Sequence, residues 1–130
     1  MATLFEKIIA REIPAHIVYE DDRCIAILDK FPKIPGQTLV IPKEPIDYFV
    51  DLPDDLYQHV FSVAKKIARA LDHTFSAMRT CLVIEGLEVP HAHIRLYPIT
   101  EPHLDISGGG TEASDTTLAT HAEQIKKALD

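Results

Sequence analysis

Short apolar runs alternate with polar connections along the chain, and this pattern predicts helices and strands in one domain. Leu4, Ile8 and Ile9 share the apolar side of a short helix over residues 3–10, with Thr3 as its candidate N-cap. A longer stripe with the period of a helix predicts one amphipathic helix packed on a sheet. It consists of Leu56, Val60, Val63, Ile67 and Leu71. A last helix is predicted over residues 114–129.

Five segments have the length and the apolar content of β-strands. We predict strands at residues 17–19, 24–28, 38–41, 81–84 and 89–97. The resulting order of elements favours an α+β fold, with a mostly antiparallel five-stranded sheet and one long helix packed on it. We assign residues 1–105 to this domain and residues 106–130 to a linker and a C-terminal helix. Three consecutive glycines suggest that the linker is flexible around residues 107–110.

Composition narrows the range of partners. The chain has 130 residues, about one domain, and a formal net charge of -7. This acidic balance argues against nucleic acid as a partner but allows a small anionic ligand held by local donors. No apolar run is long enough for a membrane span or resembles a secretory signal, so no membrane partner is expected. Cys24 and Cys81 are isolated, which favours free thiols and a cytoplasmic location.

The strongest chemical signal is the stretch His91-Ala92-His93-Ile94-Arg95. If this stretch is a strand, the two histidines and Arg95 point to one face. Two imidazoles beside a permanent positive charge suit the binding of a phosphate and its attack by a histidine nucleophile. Two other interpretations remain open. The face could be the solvated side of an edge strand, or the His-x-His pair could chelate a metal, although Arg95 would repel a cation.

Residues 91–98 resemble the signature of the histidine triad family, in which three histidines alternate with hydrophobic residues. Two further blocks resemble the same family. Residues 7–26 are similar to its N-terminal region, and Pro-Gly-Gln-Thr-Leu-Val-Ile-Pro-Lys at 35–43 is similar to its Pro-Gly-His-x-Leu-Val-Ile-Pro-Lys block. The three blocks occur in the family's order. The branch resembled most is the nucleotide-binding and dinucleoside polyphosphate hydrolase group, whose members are typically homodimers.

This resemblance implies a site and a reaction. His93 matches the nucleophile that attacks the α-phosphate of a nucleotide and forms a nucleotidyl-histidine, His91 matches the residue that orients it by hydrogen bonding, and Arg95 takes the third triad position. The implied ligand is a purine nucleotide or nucleoside phosphate ester, without a cofactor or a metal. The predicted nucleotide-binding residues are Asp29 for the ribose, Phe5, Ile8 and Ile27 for the base, and Gln37 and Glu88 near the phosphates. Without the resemblance, Phe5, Ile8 and Ile27 would be predicted as residues of the hydrophobic core.

Several positions depart from the family pattern. Arginine can bind phosphate but cannot shuttle a proton, so Arg95 puts turnover in question. Gln37 and Leu87 stand where relatives often carry histidine and glutamine. Thr3 and Glu6 replace the Cys-x-x-Cys of zinc-containing relatives, so no zinc is expected there. Two hypotheses follow. The chain is a nucleotidyl hydrolase or transferase acting on phosphoramidates or dinucleoside polyphosphates, or a nucleotide-binding or interaction protein with weak or no turnover.

Overall fold

A computed structural model describes residues 2–130, in which a five-stranded antiparallel sheet is combined with three α-helices. In chain order the elements are α1 (Leu4–Ile9), β1 (Ile17–Glu20), β2 (Cys24–Leu28), β3 (Thr38–Pro42), a 3-10 turn (Phe49–Asp51), α2 (Asp54–Phe75), β4 (Arg79–Val83), β5 (Ile94–Ile99) and α3 (Asp115–Leu129). The strands lie in the order β1-β2-β3-β5-β4. The predicted α+β fold with an antiparallel sheet is therefore confirmed.

The two main helices bury their apolar faces against one side of the sheet. α2 begins after Pro53 with two acids in its first turn, which complement the helix dipole. All five residues of its predicted stripe are buried. α3 adds Leu118, Ala122 and Ile125 to the same core cluster and contacts both α2 and β1. The C-terminal helix is thus packed on its own chain.

α1 covers the other side of the sheet. Its Phe5 and Ile8 form a second buried cluster with Ile25, Ile27, Leu39 and Ile41. Because β2 and β3 are covered on both sides, every residue of these two strands is buried. Thr3 caps α1 as predicted, and a capping box with Glu6 completes the cap.

The predicted strand over residues 89–97 is wrong in its first half, because β5 begins only at Ile94. Pro90 has no backbone N–H to donate to a neighbouring strand. His91 N donates to Val89 O at 2.8 Å, and Ala92 N donates to Ile46 O at 2.7 Å, so the chain turns before it enters the sheet. β5 also lies between β3 and β4, which excludes the interpretation of an exposed edge strand.

The segment between β5 and α3, which its glycines predict to be flexible, contacts another loop of the domain. Ala113 N donates to Lys30 O at 2.9 Å, and Lys33 pairs with Asp105 at 3.7 Å. The segment therefore lies against the loop that follows β2. Among the described residues, the structure contains no helix with the length and apolar character needed to cross a membrane.

Candidate functional site

A cavity of about 350 Å³ lies on the side of the sheet that α1 covers. Its lining includes six of the predicted site residues, namely Phe5, Asp29, Gln37, Glu88, His93 and Arg95. This volume is within the range of small-molecule sites. A larger cavity of about 560 Å³ shares Lys33 with it but contains neither triad histidine. Side-chain chemistry, rather than volume, therefore identifies the first cavity as the candidate site.

His93 is held in the tautomer that a nucleophile needs. Its Nδ1 lies 2.8 Å from the carbonyl oxygen of His91. Because a carbonyl only accepts, Nδ1 must be the donor, and the neutral ring then keeps its lone pair on Nε2. Burial lowers the pKa of His93, the hydrogen bond to His91 opposes this, and the charge of Arg95 lowers it further. The ring is thus neutral, and only 3% of the residue is exposed.

His91 orients the His93 ring through its backbone carbonyl, while its own ring is fully buried and is not part of the cavity lining. The ring's Nε2 lies 2.7 Å from the carbonyl oxygen of Pro42 and must donate to it. Nδ1 then accepts from the hydroxyl of Thr3 at 3.2 Å. The same hydroxyl accepts from Glu6 N at 3.1 Å. The α1 cap and the end of β3 therefore fix the position of His91.

Thr3 and Glu6, which occupy the positions of the Cys-x-x-Cys ligands, are not suited to bind zinc. The hydroxyl of Thr3 is engaged with His91, and the carboxylate of Glu6 accepts from Thr3 N at 3.0 Å. Zinc sites of the Cys-x-x-Cys type use thiolates, which neither side chain supplies.

Arg95 extends from β5 beside His93 and keeps its positive charge at any working pH. One of its terminal nitrogens lies 3.6 Å from a carboxylate oxygen of Glu85, and its buried Nε has no partner among the described residues. Glu85 lies in the connection from β4 to β5, and only the folded chain brings its negative charge next to Arg95. This loose contact leaves part of the guanidinium free for an anion.

Gln37 organises the loop that carries the predicted ribose anchor. Its Nε2 donates to Asp29 Oδ2 at 2.8 Å, and its Oε1 accepts from Lys33 N at 2.7 Å. The other carboxylate oxygen of Asp29 accepts from Phe31 N at 2.9 Å. Gln37 is only 2% exposed. Gln37 thus lines the cavity and orients the carboxylate of Asp29.

The remaining predicted residues divide between the cavity and the core. Phe5 lines the cavity, and its ring packs edge-on to His93 with ring centroids 4.8 Å apart. Ile8 and Ile27 belong to the same buried cluster as Phe5 but do not line the cavity. Glu88 lies at the cavity's exposed rim, whereas Leu87 is 84% exposed and outside the lining.

A second polar cluster joins Asp21, Cys24 and His59. The potential ligand atoms of these three residues lie within 4.8 Å of one another, and it is the one such group in residues 2–130. However, Asp21 Oδ2 already accepts from the Tyr19 hydroxyl and from His59 Nε2, both at 2.7 Å. Burial, together with the charge of Asp21, raises the pKa of Cys24 to about 12. The cluster therefore acts as a hydrogen-bonded brace between the β1–β2 turn and α2, a contact that the sequence did not suggest.

Comparison with known proteins adds independent evidence. A family model described as the HIT domain matches residues 10–100. An uncharacterised HIT-like protein of Methanocaldococcus jannaschii is 35% identical over 127 residues, which cover 95% of this chain and 98% of that protein.

Solved structures agree with this match. A Hit-like protein of Bartonella henselae, described as involved in cell-cycle regulation, has a TM-score of 0.88 and 30% identity over 97% of this chain and 95% of its own. A hypothetical histidine triad nucleotide-binding protein of Sulfolobus tokodaii has a TM-score of 0.87 and 26% identity over 96% of this chain and 90% of its own. Sequence and fold together show that the chain belongs to the HIT domain family.

Proposed function

We propose that this protein is a nucleotidyl hydrolase or transferase that uses His93 to attack the α-phosphate of a nucleotide. The observation that carries the proposal is the hydrogen bond from His93 Nδ1 to the His91 carbonyl, at 2.8 Å. This bond leaves the lone pair of Nε2 available, in a cavity that also contains Arg95 and Asp29. A neutral nucleophile beside a permanent cation favours nucleophilic attack on a phosphoryl group, because the cation stabilises the negative charge of the transition state.

The reaction proceeds in two displacements. The lone pair of His93 Nε2 forms a bond to the α-phosphorus, and the bond to the leaving group breaks with its electron pair. A water molecule then attacks the phosphorus and releases a proton to the solvent, the P–N bond breaks, and His93 recovers its lone pair. Arg95 contacts the phosphate oxygens throughout, and the Asp29 carboxylate accepts hydrogen bonds from the ribose hydroxyls.

Arg95 also influences which leaving groups can depart. A guanidinium does not give up a proton at working pH, so Arg95 cannot protonate a departing amine. A polyphosphate departs as a stable anion and needs no such proton. We therefore propose that dinucleoside polyphosphates are turned over faster than phosphoramidates of the same nucleoside.

The test compares the wild type with His93→Ala and Arg95→His on a dinucleoside polyphosphate and on an adenosine 5′-phosphoramidate. We expect His93→Ala to lose at least about a hundredfold in rate on both substrates, because nucleophilic attack is lost. Arg95→His should raise the ratio of phosphoramidate to polyphosphate hydrolysis. Hydrolysis that persists in His93→Ala contradicts the mechanism. An unchanged ratio in Arg95→His contradicts the role given to Arg95.

A second candidate function is nucleotide binding with little or no turnover. The pairing of Arg95 with Glu85 favours it, because a neighbouring carboxylate weakens the field that stabilises a phosphoryl transition state. Binding of adenosine monophosphate without hydrolysis of either substrate would select this function over the enzyme.

We further propose that the protein works as a homodimer. Support comes from β4, which is an edge strand of the sheet. Leu82 on this strand is 42% exposed, and Met78, which directly precedes the strand, is 61% exposed. Unpaired edges with exposed apolar residues favour pairing with another chain. A cytoplasmic location is proposed because Cys24 and Cys81 are both free thiols.

A further inference from the structure

Residues 107–113, which we name the strap, lie between β5 and α3 and contribute to the wall of the candidate nucleotide site. Gly108, Gly109 and Gly110 line the same cavity as His93 and Asp29. None of these three glycines carries a side chain, so the strap presents only backbone to a ligand. Backbone N–H and C=O groups are strong hydrogen-bonding groups, and glycine allows a ligand to approach them closely.

Contacts at both ends fasten the strap to the loop that follows Asp29. At the start of the strap, Lys33 Nζ donates to the carbonyl oxygen of Ser107. At its end, Ala113 N donates to Lys30 O at 2.9 Å, and Lys30 pairs with Glu112 at 3.4 Å. The loop to which the strap is fastened also holds Asp29, through the hydrogen bonds of Gln37 and Phe31 N.

Gly110 lies against this loop with no room for a side chain. A Cβ atom at Gly110 would lie 2.3 Å from the carbonyl oxygens of Phe31 and Pro32. These are backbone atoms, so they cannot move aside as a flexible side chain would. At Gly109, by contrast, an added Cβ would meet nothing within 4 Å. Two adjacent glycines on the same cavity wall thus differ sharply in whether the fold tolerates a methyl group.

We propose that the strap is the nucleoside-recognising wall of the site, holding the ribose and base against Asp29 through backbone contacts. This inference rests on the proposed nucleotide site. The strap lies against the loop that carries Asp29, whereas the groups suited to the phosphate are His93 and Arg95. Disturbing the strap should therefore weaken the binding of a nucleotide and leave the binding of a bare phosphate compound unchanged.

The experiment compares Gly110→Ala with the control Thr116→Ala, an exposed position at the start of α3 outside the cavity lining, in the full chain. Affinities for adenosine monophosphate and for inorganic pyrophosphate are measured by calorimetry, after circular dichroism has verified the fold of each variant. We expect Gly110→Ala to weaken adenosine monophosphate binding by at least about tenfold. Its pyrophosphate affinity, and both affinities of Thr116→Ala, should match the wild type. Equal nucleotide affinities in the two variants, or a parallel loss of pyrophosphate affinity in Gly110→Ala, would overturn the inference.

Hydrogen exchange in the wild type provides a test that does not depend on how Gly110→Ala folds. Saturating adenosine monophosphate should slow amide exchange in residues 108–110, while saturating pyrophosphate should not. Unchanged exchange with bound nucleotide overturns the role of the strap. If the wild type binds no adenosine monophosphate at all, the proposed nucleotide site itself fails, and this outcome is distinct from the failure of the strap.

Discussion

At the scale of single residues, the site depends on one backbone carbonyl more than on a second imidazole. The His91 carbonyl fixes the His93 tautomer, while the His91 ring is committed to Pro42 and Thr3. The family resemblance implied that His91 orients the nucleophile by hydrogen bonding. In the structure, His93 Nδ1 donates to the backbone carbonyl of His91, so His91 orients the His93 ring although its own side chain is completely buried.

The burial of His93 leads to a prediction about pH. Because burial lowers its pKa below the ordinary 6.5, His93 stays neutral and nucleophilic at a pH where a free imidazole is half protonated. We expect the acid limb of kcat/KM to lie below pH 6.5. The free energy of unfolding should also decrease at low pH. The unfolded chain binds this proton more readily than the folded chain, so stability falls as the pH drops below 6.5.

The measurement uses a dinucleoside polyphosphate, which has no terminal phosphate with a pKa near 6 to distort the profile. An acid limb centred at or above pH 6.5 would contradict the neutral, buried state of His93. A parallel series of unfolding titrations at each pH would separate lost activity from lost fold.

At the scale of elements, the cap of α1 and the segment that precedes β5 support each other. The Thr3 hydroxyl accepts from Glu6 N and donates to His91 Nδ1. A six-residue helix has little stability of its own, so such contacts hold α1 over the site. The position of α1 matters because its Phe5 packs against His93.

Replacing Thr3 by valine keeps the shape of the side chain but removes both hydrogen bonds. We expect Thr3→Val to lower the free energy of unfolding by about 1–3 kcal/mol, because a cap is lost and a buried ring nitrogen becomes unsatisfied. Thr3→Ser retains the hydroxyl and should stay close to the wild type. Denaturant unfolding measures both variants, and equal stability of Thr3→Val and Thr3→Ser would exclude the role of the hydroxyl.

At the scale of the whole molecule, the two edges of the sheet differ. α3 contacts β1 at one edge, whereas β4 at the other edge exposes Leu82. If two copies of the chain pair through β4, their sheets become continuous and the exposed apolar side chains are covered.

A charge on β4 should therefore change the oligomeric state. We expect Leu82→Lys to convert a dimer into a monomer, because the pairing would bury two lysines close to each other. Leu87→Lys is the matched control, since Leu87 is 84% exposed and lies outside the strand. Sedimentation equilibrium measures both variants. A monomeric wild type, or a Leu82→Lys variant that remains dimeric, would rule out this interface.

Local patterns in the chain were sufficient for most of the fold. The 3.6-residue stripe of α2, the capping threonine of α1 and the apolar run of β2 are short-range signals, and the structure contains each as expected. The start of β5 was not predictable in this way. Alternation over residues 89–97 suggests a strand. Whether residues 89–93 join the sheet depends on which backbone groups of other segments lie beside them. In the structure, the His91 ring donates to Pro42 O and Ala92 N donates to Ile46 O.

The candidate site also has a part that could be predicted from the sequence and a part that only the folded chain reveals. Residue types and their spacing in the chain were enough to single out His91, His93 and Arg95, because the chemistry of imidazole and guanidinium is intrinsic to each side chain. Asp29 was predicted only from the resemblance to the histidine triad family. The contacts of Gln37 with Asp29, of Glu85 with Arg95 and of Thr3 with His91 join residues distant in the chain or on separate elements. The sequence suggested a flexible linker at the strap because the contacts of the strap also involve residues distant in the chain. Its place at the cavity depends on Phe31 and Pro32, about eighty residues earlier, and only folding brings these segments together.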